Sequence, residues 1–180
     1  TWGDGICCED GVPVPVYNSG FESDGGWDVW PTDVSSENWN QAQGEGQSSY
    51  NSLELFGTSS TGSVAFWQQV PAYPGELHHL SVHAKHSSEN SLQNGQTAHA
   101  IIEFWGGGWW GAYLISQHIT EIVDMNSAED TWIELSTSAV APSDAANTHV
   151  VVVFNNPTGN QNGSVFFDNL TYRSNVHNDN

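Results

Sequence analysis

Short runs of alternating apolar and polar residues, and runs of β-branched and aromatic residues, recur along the chain. They predict strands over 53–56, 64–70, 77–86, 97–105, 112–118, 132–136, 149–154 and 164–172. The turn-formers between them fall at 57–62, Pro74-Gly75, 90–96, 106–108, 142–146 and 155–163. Alternation is plainest in 77–86: Leu80, Val82 and Ala84 point to one face, the core, while His79, Ser81, His83 and Lys85 point outward. No window sustains a helical period, because 18 Gly and 7 Pro interrupt nearly every candidate. Eight strands at roughly even spacing predict an all-β fold, an antiparallel β-sandwich of jelly-roll type. The 180 residues suit one domain. The pattern places a jelly-roll domain at 16–173, an extended N-terminal arm at 1–15 and a polar tail at 174–180.

Charge narrows the partners. Two Lys+Arg stand against 21 Asp+Glu, a formal net charge of −19. There is no basic surface to displace phosphate counterions, which excludes nucleic acid and disfavours anionic membranes and anionic polysaccharides. No apolar run approaches the ~20 residues of a membrane-spanning helix, so no membrane partner is expected. The chain opens at Thr1 without a charged and apolar leader and is rich in Asn, Ser, Gly and Thr; it reads as a mature secreted protein, extracellular or on a cell surface.

Several pieces together carry a resemblance. Asn18-Ser19-Gly20-Phe21-Glu22, Gly26-Trp27, Gln68-Gln69-Val70-Pro71, Pro74-Gly75, Leu80 through Lys85, Thr131-Trp132, Ala141-Pro142 and Val165-Phe166-Phe167-Asp168-Asn169-Leu170 occur in that order. The sequence from about 16 to 172 resembles carbohydrate-binding modules of the family 4/9/16/22 type, which are galactose-binding-like jelly rolls. The resemblance implies a structural Ca²⁺ held by Glu22 and Asp168 with the Gly20 carbonyl and the Tyr50–Asn51 backbone at one end of the sandwich. Calcium takes six to eight oxygens, which this acidic chain has in excess; the alternative is that both acids are ordinary surface carboxylates. The histidines make no comparable case. His78, His79, His83 and His99 fit no zinc spacing and read as exposed strand residues. With 21 acids, a carboxylate pair diagnoses nothing, and no nucleophile elbow, P-loop or H-E-x-x-H motif is present, so the chain reads as a non-enzyme.

Two features remain. The stretch Phe104-Trp105-Gly106-Gly107-Gly108-Trp109-Trp110-Gly111-Ala112-Tyr113 reads as a glycine turn between antiparallel strands, with Trp105, Trp109, Trp110 and Tyr113 stacking on sugar rings, anchoring a subunit contact, or capping the core. The arm carries both cysteines, Cys7 and Cys8, whose adjacency disfavours a mutual disulfide and favours bonds to other chains. Beyond them, Pro13 and Pro15 remove donors along one edge of an extended strand while Val12, Val14 and Val16 keep theirs along the other. Such a strand is either the domain's own protected edge or a strand donated to a neighbour. These features lead to the expectation of an extracellular fibre subunit, a homopolymer joined by strand donation and intermolecular disulfides. The alternative is a binding module for neutral polysaccharide, belonging to a secreted hydrolase or adhesin. The sequons at Asn162 and Asn169 are candidate glycosylation sites, the second less favourably placed inside a strand.

Overall fold

The computed structural model describes residues 12–13, 16–23, 25–30, 39–57, 62–93, 95–107, 111–159 and 162–175. They form β1 (Val12–Pro13), β2 (Asp28–Trp30), β3 (Trp39–Gln43), β4 (Asn51–Phe56), β5 (Gly62–Pro71), β6 (Leu77–His86), β7 (Thr97–Gly106), β8 (Tyr113–Ile119), β9 (Ile133–Val140), β10 (Ala145–Asn156) and β11 (Ser164–Ser174). No helix occurs among the described residues. All pairings are antiparallel and sort into two sheets, β3-β4-β11-β6-β9 with β1 against β11, and β2-β5-β10-β7-β8. Each strand presents one face to the other sheet, which gives the sandwich of the jelly-roll class.

The core follows from the period of two. In β6, Leu80, Val82 and Ala84 are buried and alternate with half-buried His79, Ser81, His83 and Lys85, as the sequence predicts. From the facing sheet, Ala98, Ala100, Ile102 and Phe104 of β7 and Val150, Val152 and Phe154 of β10 fill the same interior. Burying such a side chain contributes about 1.5–3 kcal/mol, so these residues dominate the stability of the sandwich.

The histidines depart from expectation. His78 is fully buried and His99 nearly so, while His79 and His83 are half-buried. His78 takes the inward phase of β6, where Tyr172 Oη lies 2.6 Å from its Nδ1 and Phe104 meets it edge-on at 5.2 Å. A partner for the ring nitrogen is what lets a polar residue occupy this position. The strands β2 and β3 were not predicted: DVW and WNQAQ are too short and too polar to signal a strand, and they form by pairing at the edges of established sheets.

β11 is irregular where it matters. Its register against β6 shifts between Asp168 and Thr171, and Asn169 has φ of 50°. Asn tolerates this left-handed geometry, and the bulge redirects the side chains around it. β4 pairs with the first part of β11, up to Phe167, whereas Val12 and Pro13 of β1 pair with Ser174 and Arg173 at its far end.

Candidate functional site

The outward phase of the β2-β5-β10-β7-β8 sheet is unusual for a solvated face. Ala65 and Trp67 of β5, Ile101 and Trp105 of β7, and Val151 and Val153 of β10 all point away from the core. They floor a groove of about 580 Å³ whose sides carry Trp30 of β2 and Leu114 and Ile119 of β8. Ala65, Ile101, Val151 and Val153 form a second apolar cluster with Trp67 packed against it. That is why β10 reads as an unbroken apolar run: one phase serves the core and the other serves the groove.

At one end of the floor the rings are ordered. His149 stacks on Trp67 at 4.4 Å and 25°, and lies 5.0 Å from the Trp105 ring at 30°. The three rings span three adjacent strands, β5, β10 and β7, because His149 sits diagonally from both indoles in the register. Beside them, directly across from His149 in the ladder, Glu103 accepts hydrogen bonds from Trp105 Nε1 at 3.0 Å and Gln117 Nε2 at 2.7 Å, and its Oε2 lies 3.8 Å from His149 Nδ1. Burial holds His149 below its ordinary pKa, opposed by the nearby Glu103 and Asp28 carboxylates. Burial also lowers His99, further along the floor, whose Nδ1 has no hydrogen-bond partner. The opposite end is polar: Ser63 Oγ donates to Asn155 Oδ1 at 2.6 Å, and Asn155 Nδ2 donates to Thr97 Oγ1 at 3.1 Å. Flat aromatic faces beside fixed hydrogen-bonding groups suit a ring that is apolar on its faces and polar at its edges.

Of the aromatics proposed from sequence, Trp105 lines this groove. Tyr113 is not among the residues that line it; half-exposed, it lies against Gly106 on the other phase of β7, and its hydroxyl donates to Asp144 Oδ2 at 2.9 Å, which raises its pKa. Gly106 leaves room there for the Tyr113 ring, against which a Cβ would clash. The predicted hairpin is present, with Gly106 opposite Tyr113. Trp109 and Trp110 lie outside the described residues, as do Cys7, Cys8 and Val14. Val16 packs against the domain's own core. Sequence reasoning missed Trp30, Trp67 and His149; the signal for Trp67 is a large aromatic on the outward phase of β5, opposite Val64 and Phe66.

The predicted calcium ligands converge. A Cβ on Gly20 would lie 3.7 Å from Glu22 Cγ and 3.8 Å from Asp168 Oδ1, so both acids border one glycine. The turn reaching them is tight: Asn18 and Phe21 have φ of 50° and 53°, strained for a bulky residue, and stacking of Phe21 on Trp27 at 5.1 Å holds the turn. Asp168 is fully buried and accepts from the backbone N–H groups of Gln47 at 2.7 Å and Asn169 at 2.6 Å. Asn51 donates from its backbone N–H to Glu22 Oε1 at 3.2 Å and from Nδ2 to the Glu22 carbonyl at 3.1 Å. Its Oδ1 is buried without a partner. An unpaired amide oxygen beside two carboxylates, one of them buried, fits a hard cation that takes oxygen ligands. Among the described residues, no group of three or more His, Cys, Asp or Glu is placed to hold a metal ion, so amide and carbonyl oxygens would have to complete such a site.

No family profile matches the sequence, and no curated protein sequence matches it either. Solved structures do. "Family 16 Carbohydrate Binding Module-2" superposes with a TM-score of 0.61 at 15% identity, covering 87% of this chain and 97% of that one. The CBM22-2 xylan-binding domain from Paenibacillus barcinonensis Xyn10C gives 0.56 at 13% identity, covering 87% and 97%. The chain has the fold of a carbohydrate-binding module. A Stig cyclase, Fisc from Fischerella sp. TAU, in complex with a pyrrolidinylidene-indole, shares that fold at a TM-score of 0.62 and 14% identity, covering 92% and 98%. Similarity at this level establishes architecture and leaves function to the groove.

Proposed function

We propose that the protein is a non-catalytic polysaccharide-binding module whose ligand lies in the groove across β2, β5, β10, β7 and β8. The observation that carries this reading is the Trp67–His149–Trp105 stack on an otherwise apolar floor, with Glu103, Gln117 and Asn155 at its borders. Sugar faces would rest on the indoles while the edge hydroxyls meet the polar groups. The reading is tested by calorimetric titration of the full chain with soluble xylan and mixed-linkage glucan. Saturable binding that Trp67→Ala abolishes supports it; absence of binding to any such polymer overturns it. We further propose that Glu22, Asn51 and Asp168, with the Gly20 carbonyl, hold a structural calcium ion that fixes the turn at 17–23 to the β11 bulge. Secretion, the compartment in which extracellular polysaccharide is met, belongs to the same proposal. No helix among the described residues is long and apolar enough to cross a membrane.

A second reading, assembly of copies into an extracellular fibre, would require β1 to be exchanged between copies, because within one chain it serves as the domain's own edge strand. Val12–Pro13 pairs antiparallel with the far end of β11, beyond the reach of β4. The arm of a neighbouring copy would fill that position in the same register, with Cys7 and Cys8 available for covalent links. Native mass with and without reductant separates the readings: a monomer in both conditions removes the fibre.

A further inference from the structure

The distribution of charge around the groove points to a narrower class of ligand. Both fixed cations of the chain lie on the other sheet, Lys85 in β6 and Arg173 in β11. Lys85 is engaged there by Glu45 Oε2 at 2.7 Å and by the faces of Trp132 and Phe166 at 5.1 and 5.0 Å. Among the described residues the groove lining has one charged side chain, Glu103, of which 14% remains exposed. Its two oxygens accept from Trp105 and Gln117, and a carboxylate has about four acceptor positions, so capacity for further donors remains. The imidazoles of His99 and His149 are held below their ordinary range by burial and add no positive charge near neutrality. Asp28 of β2, two strands from β10, acts electrostatically on His149 and adds to the negative potential. Indole faces attract cations through their quadrupoles, and three of them, Trp30, Trp67 and Trp105, line the groove.

We infer that the groove prefers polysaccharides bearing free amino groups, glucosamine polymers, over neutral or N-acetylated ones. The inference rests on the groove being the polysaccharide site. An ammonium group seated between the indoles and Glu103 gains charge-assisted hydrogen bonding and cation–π attraction that a hydroxyl or acetamide does not. Uronate-bearing polymers meet the reverse, a carboxylate facing a carboxylate with no cation to mediate.

The experiment compares calorimetric affinities of the full chain for glucosamine, N-acetylglucosamine and glucose oligomers of equal length and β-1,4 linkage, at about pH 6, where an amine is protonated. The amino oligomer is expected to bind about fivefold or more tightly than the glucose oligomer at low ionic strength, with the ratio shrinking as salt is added. A molecule this acidic attracts polycations non-specifically, so two variants of equal charge change are compared. Glu103→Gln brings the ratio towards one whatever it does to overall affinity, and Glu134→Gln, on the opposite sheet, leaves the ratio as in the natural sequence. Should Glu103→Gln fail to fold, Trp30→Ala takes its place: it removes a half-exposed indole face from the groove without changing charge and is expected to lower the ratio, whereas non-specific attraction leaves the ratio unchanged. Equal or weaker binding of the amino oligomer, or the same ratio in both variants, overturns the inference while leaving the groove as a sugar site. Failure of all three oligomers to bind removes the groove reading and the inference together.

Discussion

The two outer faces of the sandwich each carry a depression of nearly the same size, about 580 Å³ over β5, β10 and β7 and about 590 Å³ over β11, β6 and β9. Their chemistry differs throughout. The first is floored by apolar side chains and indoles. The second is lined by Ser81, Ser136, Ser138, Thr171, His79, His83, Glu134 and Arg173, and many of these satisfy one another. His79 Nδ1 meets Ser138 Oγ at 2.7 Å, and Ser81 Oγ meets Thr171 Oγ1 at 2.9 Å. A polar face of this kind is what an antiparallel sheet shows to water. An apolar outer face costs solubility and is kept where something binds, so side-chain content, not the volume of a hollow, separates a site from a surface.

The largest expected effect concerns what lies between the faces. Burial lowers His78 to a pKa of about 4, with His79 adding a smaller push in the same direction. The unfolded chain therefore binds a proton between about pH 6.5 and pH 4 that the folded chain refuses, and stability falls as pH falls through that window. The loss is on the order of 3 kcal/mol for this group, read as a shift of the urea midpoint between pH 7 and pH 4. Replacing His78 with Gln should flatten that slope even though it lowers stability overall. A midpoint independent of pH in both forms would contradict the burial argument. Next comes the turn at the end of the sandwich. Chelation of calcium should lower the melting temperature by an amount equivalent to about 2.7 kcal/mol for an ion at a hundred times its dissociation constant. Asp168→Asn should abolish the response, and an EDTA-insensitive melt with no bound metal removes the ion from the account.

The faces themselves are compared by matched substitutions. Trp67→Ala in the groove should weaken polysaccharide binding by ~2 kcal/mol or more, roughly thirtyfold, while the domain still folds. Ser136→Ala, exposed in the polar hollow, should change neither affinity nor stability by more than ~0.5 kcal/mol. If the two substitutions had equal effects on binding, the contrast between the faces would carry no functional meaning.

Much of this architecture is legible in the chain because burial in a sandwich imposes a period of two. The predicted strands at 64–70, 77–86, 97–105 and 164–172 each fall within an observed strand, and β7 pairs antiparallel with β8 as expected, with Gly106 opposite Tyr113. The burial of His78 was not legible, since its Tyr172 partner lies on another strand and only the register brings them together. The groove was half legible. Trp105 stood out within a cluster of aromatics, whereas Trp67 and His149 are single residues in unrelated strands. Their stacking depends on the pairing of β10 with both β5 and β7, a non-local fact. The convergence of Glu22, Asn51 and Asp168 came from family resemblance; the bulge that aims Asp168 has no local sequence signal beyond Asn169 itself.

The central claim, that sugar lies on the indoles of one face, is tested most directly by following the indole N–H signals in heteronuclear NMR spectra during titration with a soluble β-linked oligosaccharide, assigning each signal by single Trp→Phe substitution. The groove reading predicts that Trp67 and Trp105 shift and saturate together, while Trp132 beside Lys85 on the opposite face and Trp27 under the turn stay in place. Movement of Trp132 with Trp67 and Trp105 unmoved would place binding on the other sheet and contradict the account.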